Sequence, residues 1–152
     1  MHVVLVEPEI PPNTGNIARS CAATGTTLHL VRPLGFDIGD AAVRRAGLDY
    51  WDALDLRVHD SLEAFLDAHG QENLWFFEPR AAHRYTDVSY EQNDFLVYGK
   101  ETAGLPLWLL ERHPGRCLRV PMLPGLRSLN LGSAVALTLY EALRQNNFHG
   151  LE

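Results

Sequence analysis

Short apolar runs that alternate with helical segments along the whole chain constrain its fold more than any other feature. HVVLV (2–6), bounded by Glu-Pro and Pro-Pro, reads as a buried strand, and TLHLV (27–31), stopped by Arg-Pro, as a second. Between them Asn13 is placed to cap a helix and Gly25 to close it. DAAVRRAG (40–47) has the pattern of a short helix ended by Gly47, followed by a strand near Leu54–Val58. SLEAFLDAHG reads as an amphipathic helix capped by Ser61 or Asp60 and closed by Gly70. NLWFF (73–77) and DFLVYG (94–99) are further strands, PLWLLERH (106–113) a short helix with proline at its start, and CLRVPM (117–122) a strand broken by Pro121. Asn130 then caps the longest helix, from Leu131 to Gln145. Strands in alternation with helices predict an α/β fold with a mainly parallel sheet flanked by helices, a single domain over residues 1–152.

Such sheets bind ligands in the loops at the carboxyl ends of their strands. Three of those loops are rich in glycine or unusual polar residues: PEIPPNTGN, GKETAGLP and PMLPGLRSLNLGS. GKETAG (99–104) has glycines spaced for a phosphate loop, but Leu105-Pro106 follows the second glycine where Lys-Ser/Thr is required. No GxGxxG follows the first strand, and Ser20, Ser128 and Ser133 lack a GxSxG context, so neither a nucleotide-binding site nor a hydrolase triad is supported. The seven histidines form neither HExxH nor HxH, and Cys21 and Cys117 stand far apart outside any CxxC. No metal site and no disulfide are expected; a buried pair of reduced thiols is.

Composition adds two exclusions. No run approaches the roughly 20 apolar residues of a membrane span, and MHVVLVEPE has no basic n-region, so no signal peptide and a cytoplasmic location are expected. The net charge of −6 argues against a generic polyanion binder. The positive charge is nevertheless almost all arginine, with Lys100 the one lysine, and Arg112, His113, Arg116, Arg119 and Arg127 crowd one segment as a candidate basic patch. Arg19 is the odd residue of the first helix: a permanently charged side chain one turn after Gly15 and Asn16, which reads either as a surface arginine or as an anion contact.

EPEIPPNTGNIAR (7–19), FLVYGKETAGLP (95–106) and VPMLPGLRSLNLGSAVALTLYEALRQ (120–145) occur in this order, and with it the chain resembles the SPOUT superfamily of methyltransferases. RAGLDYWD (45–52) resembles the subgroup that methylates the ribose 2′-hydroxyl of the tRNA wobble nucleotide, position 34, a cytidine or a modified uridine. The resemblance runs end to end, with departures at Glu78-Pro79-Arg80, Lys100, Leu126 and Gly132-Ser133. It implies a SPOUT fold with a C-terminal deep trefoil knot. It implies S-adenosyl-L-methionine as methyl donor, with S-adenosyl-L-homocysteine as product and no metal. The implied partners are a tRNA anticodon stem-loop and a second copy of the chain in a homodimer, with no membrane. The same chemistry on another RNA such as rRNA, or a non-catalytic RNA-binding module that keeps the fold, are the alternatives.

Carried onto this sequence, the resemblance puts the donor at Phe77, Gly99, Gly104, Val120, Ser128 and Leu129. Arg19 becomes the catalytic candidate, with Asn16, Glu101, Arg119 and Arg127 as substrate contacts. The residue types suit these roles. Glycine lets backbone approach a ligand closely, and the sulfonium methyl is already activated, so the protein mainly aligns the partners and manages the hydroxyl proton. An arginine that stays protonated is a poor general base; clamping a phosphate and stabilising a developing alkoxide suit it better. Asn16 serves equally well as a satisfied turn amide. The helix after Asn130 is apolar on more than one face, which calls for two partners.

Overall fold

The structure is a computed structural model, and it describes residues 1–39, 41 and 50–152. The helix expected over 40–47 and most of the RAGLDYWD motif lie outside the described residues. The elements run β1 (His2–Val6), α1 (Pro11–Thr24), β2 (Thr27–Val31), β3 (Leu56–His59), α2 (Leu62–His69), β4 (Leu74–Phe77), β5 (His83–Arg84), β6 (Phe95–Tyr98), α3 (Leu107–Arg112), β7 (Cys117–Arg119) and α4 (Leu131–Gln145), with 3-10 turns at Trp51–Ala53 and Pro114–Arg116. Among the described residues the strands form one sheet in the order β3-β2-β1-β6-β4-β7-β5, every pair parallel. The expected α/β class with a parallel sheet is what forms.

Both faces of the sheet are covered, which is why its central strands are apolar at nearly every position. Val3, Leu5, Leu28, Leu30 and Leu96 pack on one face against Ile17 and Cys21 of α1 and Val135 and Leu139 of α4. On the other face Val4, Val6, Val31, Phe76 and Val97 pack against Phe65 of α2 and Leu109 of α3. That second face also holds polar rings. His29 is fully buried in β2, with the rings of Phe65 and Phe95 around it. Burial, reinforced by neighbouring histidines, pulls the His29 ring down to about 3, and burial beside the N-terminal amine takes His2 to about 4. Both are neutral at physiological pH.

Several boundaries differ from the sequence expectation. Asn13 does not cap α1: the helix begins at Pro11-Pro12, whose fixed φ suits the first turn, and Ile10 is the residue before it. The strand expected near Leu54–Val58 is shifted to Leu56–His59, because its register is set by pairing with β2. β7 ends at Arg119, before Val120-Pro121, and the two-residue strand β5 had no apolar pattern to announce it. Gly25, Ser61 and Asn130 close or cap their helices as expected. No helix among the described residues is long and apolar enough to cross a membrane.

Candidate functional site

β1 and β6 are neighbours in the sheet, yet the chain leaves β1 toward β2 and leaves β6 toward β7. The loops therefore diverge at the carboxyl ends of these strands and open a crevice between them. The two loops hold each other. Glu101 accepts from the backbone N–H of Glu9 at 2.8 Å, from that of Ile10 at 3.1 Å and from Asn13 Nδ2 at 3.1 Å. Glu9 in return accepts from the Thr102 N–H at 3.0 Å and its hydroxyl at 2.8 Å, bonds that hold its carboxyl below the usual range. Lys100 Nζ lies 2.6 Å from Glu7 Oε2, and that pairing raises the ammonium. Asn130, at the start of α4, donates to Asn13 Oδ1 at 2.9 Å while its own Oδ1 caps Ser133 N–H at 3.3 Å. A carboxylate at the N-terminus of α1 is also favoured by the helix dipole.

The clasp borders a cavity of about 1230 Å³. Its walls include Phe77, Gly99, Gly104, Val120, Ser128 and Leu129, as well as Glu101, Arg119 and Arg127. The stacked rings of Phe77 and Tyr98, 4.7 Å apart, lie at the strand ends among them, with the Tyr98 hydroxyl 2.5 Å from Thr138 Oγ1. A Cβ on Gly99 would stand 2.0 Å from the Gly104 carbonyl carbon, so backbone passes directly over backbone there. Gly104 has φ +70°, and its N–H closes the turn onto the Lys100 carbonyl at 2.8 Å. Facing this cradle, the 120–130 segment exposes Leu126 and Leu129, an apolar wall with backbone amides and carbonyls between its side chains. The composition is that of a site for a small ligand with an apolar planar part and polar edges.

Arg19 and Asn16 do not line that cavity. Both line a second cleft of about 460 Å³ between α1 and α4, with Ser20, Ser133 and Tyr140. Asn130 is common to the two, so one side chain stands between them. Arg19 is exposed, its guanidinium 4.9 Å from the centre of the Tyr50 ring, and no described carboxylate pairs with it. Next to this cleft Leu137 and Tyr140 of α4 remain 41% and 47% exposed, so the second apolar face of α4 has no partner among the described residues.

The basic segment is not one patch. Arg116 precedes β7 at the amino end of the sheet, where it bonds Asn73 Oδ1 and lies 4.5 Å over the Trp75 ring. Arg112 packs on Trp108 and His113 on Phe76. Arg119 and Arg127 alone of that segment line the cavity at the carboxyl ends, with Arg119 Nη1 also donating to the Ala81 carbonyl at 3.1 Å. Sequence reasoning read Asn13 only as a helix cap and missed Tyr98; the Asn in EPEIPPN was visible, but its partners were 88 and 117 residues away.

Residues 1–140 match the model of the SpoU rRNA Methylase family. The chain is 49% identical to the tRNA (cytidine(34)-2'-O)-methyltransferase of Burkholderia pseudomallei over 152 residues, covering 98% of this chain and 97% of that one. It superposes with a TM-score of 0.91 on a solved structure from work on the 2-OH methylation of C/U34 on tRNA, at 46% identity, covering 96% of this chain and 95% of the other. An AdoMet-bound rRNA methyltransferase from Sinorhizobium meliloti superposes with a TM-score of 0.86 at 27% identity, over 99% of this chain and 57% of that longer one.

Proposed function

We propose, on the premise that the chain belongs to the SpoU rRNA Methylase family, that it is an enzyme that methylates the ribose 2′-hydroxyl of the wobble nucleotide of tRNA. The observation that carries this reading is the division of the site into a cavity and a separate arginine cleft that meet at Asn130. The cavity suits S-adenosyl-L-methionine: the Gly99–Gly104 cradle excludes any side chain, and Leu126 and Leu129 supply apolar surface for an adenine. Phe77, Val120 and Ser128 complete the walls. When bound, the donor supplies an electrophilic sulfonium methyl group. Methyl transfer would form the oxygen–carbon bond to the ribose and break the carbon–sulfur bond, with S-adenosyl-L-homocysteine as the leaving group and the hydroxyl proton passing to water.

This chain's own groups have the acceptor side to manage. Arg19 is exposed, carries a fixed guanidinium fork and lies over the Tyr50 ring, which suits it to grip the phosphate beside the target nucleotide and to stabilise negative charge growing on the 2′-oxygen. Asn16 shares the cleft and can orient that nucleotide. Arg119 and Arg127 flank the cavity and give RNA two further cationic contacts. Both oxygens of Glu101 are engaged by the β1–α1 loop, so its part is to hold that loop in position rather than to meet RNA directly.

The exposed Leu137 and Tyr140 face supports a homodimer built on α1 and α4, in which the Arg19 cleft of one subunit adjoins the donor cavity of the other. The route of the chain from β7 past the Gly99–Gly104 loop to α4 on α1 supports the trefoil knot expected from the resemblance. The deciding experiment incubates the protein with bulk tRNA and, in parallel, ribosomal RNA, each with methyl-labelled S-adenosylmethionine, and identifies the labelled nucleoside. A 2′-O-methylated wobble cytidine or uridine is expected. Label on a base, or only on ribosomal RNA, overturns the assignment.

A further inference from the structure

Away from both clefts, three histidines from separate elements converge: His29 of β2, His59 of β3 and His69 of α2. One ring nitrogen of each lies within 4.8 Å of the others, with His29 Nδ1 and His59 Nε2 2.9 Å apart. A fourth ring stands behind them, His2 Nδ1 being 3.1 Å from His29 Nε2. We propose that His29, His59 and His69 form a binding site for a divalent transition-metal ion of the Zn²⁺ class, clamping the edge strand β3 and helix α2 onto the sheet.

The geometry fits the ion's needs. Tetrahedral Zn²⁺ holds imidazole nitrogens at about 2.0–2.1 Å, which places the ligand nitrogens roughly 3.3 Å from one another. His29 is fixed in the core, while the rings of His59 and His69 are only partly buried and can adjust. The hydrogen-bonded chain His2–His29–His59 can run in either direction. Metal binding selects the one in which His29 donates through Nε2–H to His2 and turns its Nδ1 lone pair to the ion. His59 then carries its ring proton on Nδ1, so no net proton is released. A donor–acceptor contact behind a ligand is the usual device for fixing its tautomer, and His2, stacked at 4.1 Å on Phe95, is a rigid acceptor. Three neutral imidazoles select Zn²⁺, Co²⁺, Ni²⁺ or Cu²⁺ over Mg²⁺ and Ca²⁺, which need oxygen ligands. The partly exposed side of the cluster leaves a coordination position for water.

The site also has work to do. Among the described residues β3 is paired on one side only, and its burial is poor, with Val58 39% exposed. A metal cross-link between β2, β3 and α2 stabilises that edge by mass action on the folded state. None of the four histidines lines the cavity or the arginine cleft, so the ion's role is separate from methyl transfer.

The test uses the full chain without a histidine tag. Co²⁺ titration followed by visible absorption, with Zn²⁺ competition and thermal unfolding, should give one ion per chain, tetrahedral d–d bands and a raised midpoint with Zn²⁺. His59→Gln and His69→Gln, chosen because their rings are partly exposed and each able to be checked for a normal unfolding transition, should weaken binding about tenfold or more. His83→Gln and His149→Gln, exposed and outside the cluster, should bind as wild type. No saturable binding at micromolar metal, or full affinity kept by either His59→Gln or His69→Gln, overturns the site.

Discussion

Asn130 and Asn13, 117 residues apart in sequence, are joined by a 2.9 Å bond from Asn130 Nδ2 to Asn13 Oδ1, and Asn13 Nδ2 passes the connection on to Glu101. Three strand-end loops are thereby tied through two amides and one carboxylate. Glu101→Ala removes the acceptor of two backbone N–H groups and one amide, which should cost about 2 kcal/mol. Asn130→Ala loses a helix cap as well as the link to Asn13, about 1–2 kcal/mol. Urea unfolding midpoints check both. A Glu101→Ala protein of normal stability that has lost only tRNA affinity would move Glu101 from the clasp to the substrate.

Arg19→Ala should abolish methyl transfer and leave S-adenosylmethionine affinity nearly unchanged, because Arg19 lines the cleft and not the cavity. Arg19→Lys should recover little, since an ammonium cannot reproduce the planar fork or its stacking on Tyr50. Calorimetric titration of the donor beside a turnover assay separates the two effects. Loss of donor binding with activity places Arg19 in the donor pocket.

The composite dimer predicts rescue between two inactive proteins. Gly99→Arg fills the Gly99–Gly104 cradle, where even a Cβ has 2.0 Å to the next backbone atom, and keeps Arg19. Co-expressed with Arg19→Ala, random pairing makes about half the dimers mixed, each with one intact site of two, so roughly a quarter of wild-type activity returns. Verified mixed dimers without activity refute the shared site.

RNA affinity should fall steeply with salt, and the arginines should divide by position. Arg127→Ala should reduce the slope of log K against log salt by about 1. Arg116→Ala should leave the slope unchanged and instead lower stability by about 1 kcal/mol, because its guanidinium packs on Trp75 at the opposite end of the sheet. Equal effects of the two substitutions on the salt slope would contradict this division.

The two thiols should be silent in the native protein. Burial lifts Cys21 to about 12 and raises Cys117 above the usual thiol range, so the reactive thiolate of both is scarce at pH 8 and grows only as pH rises further. Ellman's reagent should therefore titrate both thiols on unfolding and neither beforehand. Rapid native labelling of Cys21 would show that α1 opens.

Elements with local causes were legible in the chain itself. Ser61 and Asn130 cap their helices through a residue three positions on, Gly25 ends α1 by its own backbone freedom, and apolar runs buried on both faces announce a parallel sheet. The residues Phe77, Gly99, Gly104, Val120, Ser128 and Leu129, placed at the donor by the family resemblance of their motifs, line one cavity. Tertiary structure alone decided which distant residues meet. The crowding of Arg116 and Arg119 in sequence misled because a strand rises about 3.3 Å per residue, and the two lie before and at the end of β7, on opposite sides of the sheet's span. Conversely His29, His59 and His69 have no motif spacing, since parallel pairing of β2 with β3 and the return of α2 over them, not chain proximity, bring their rings together.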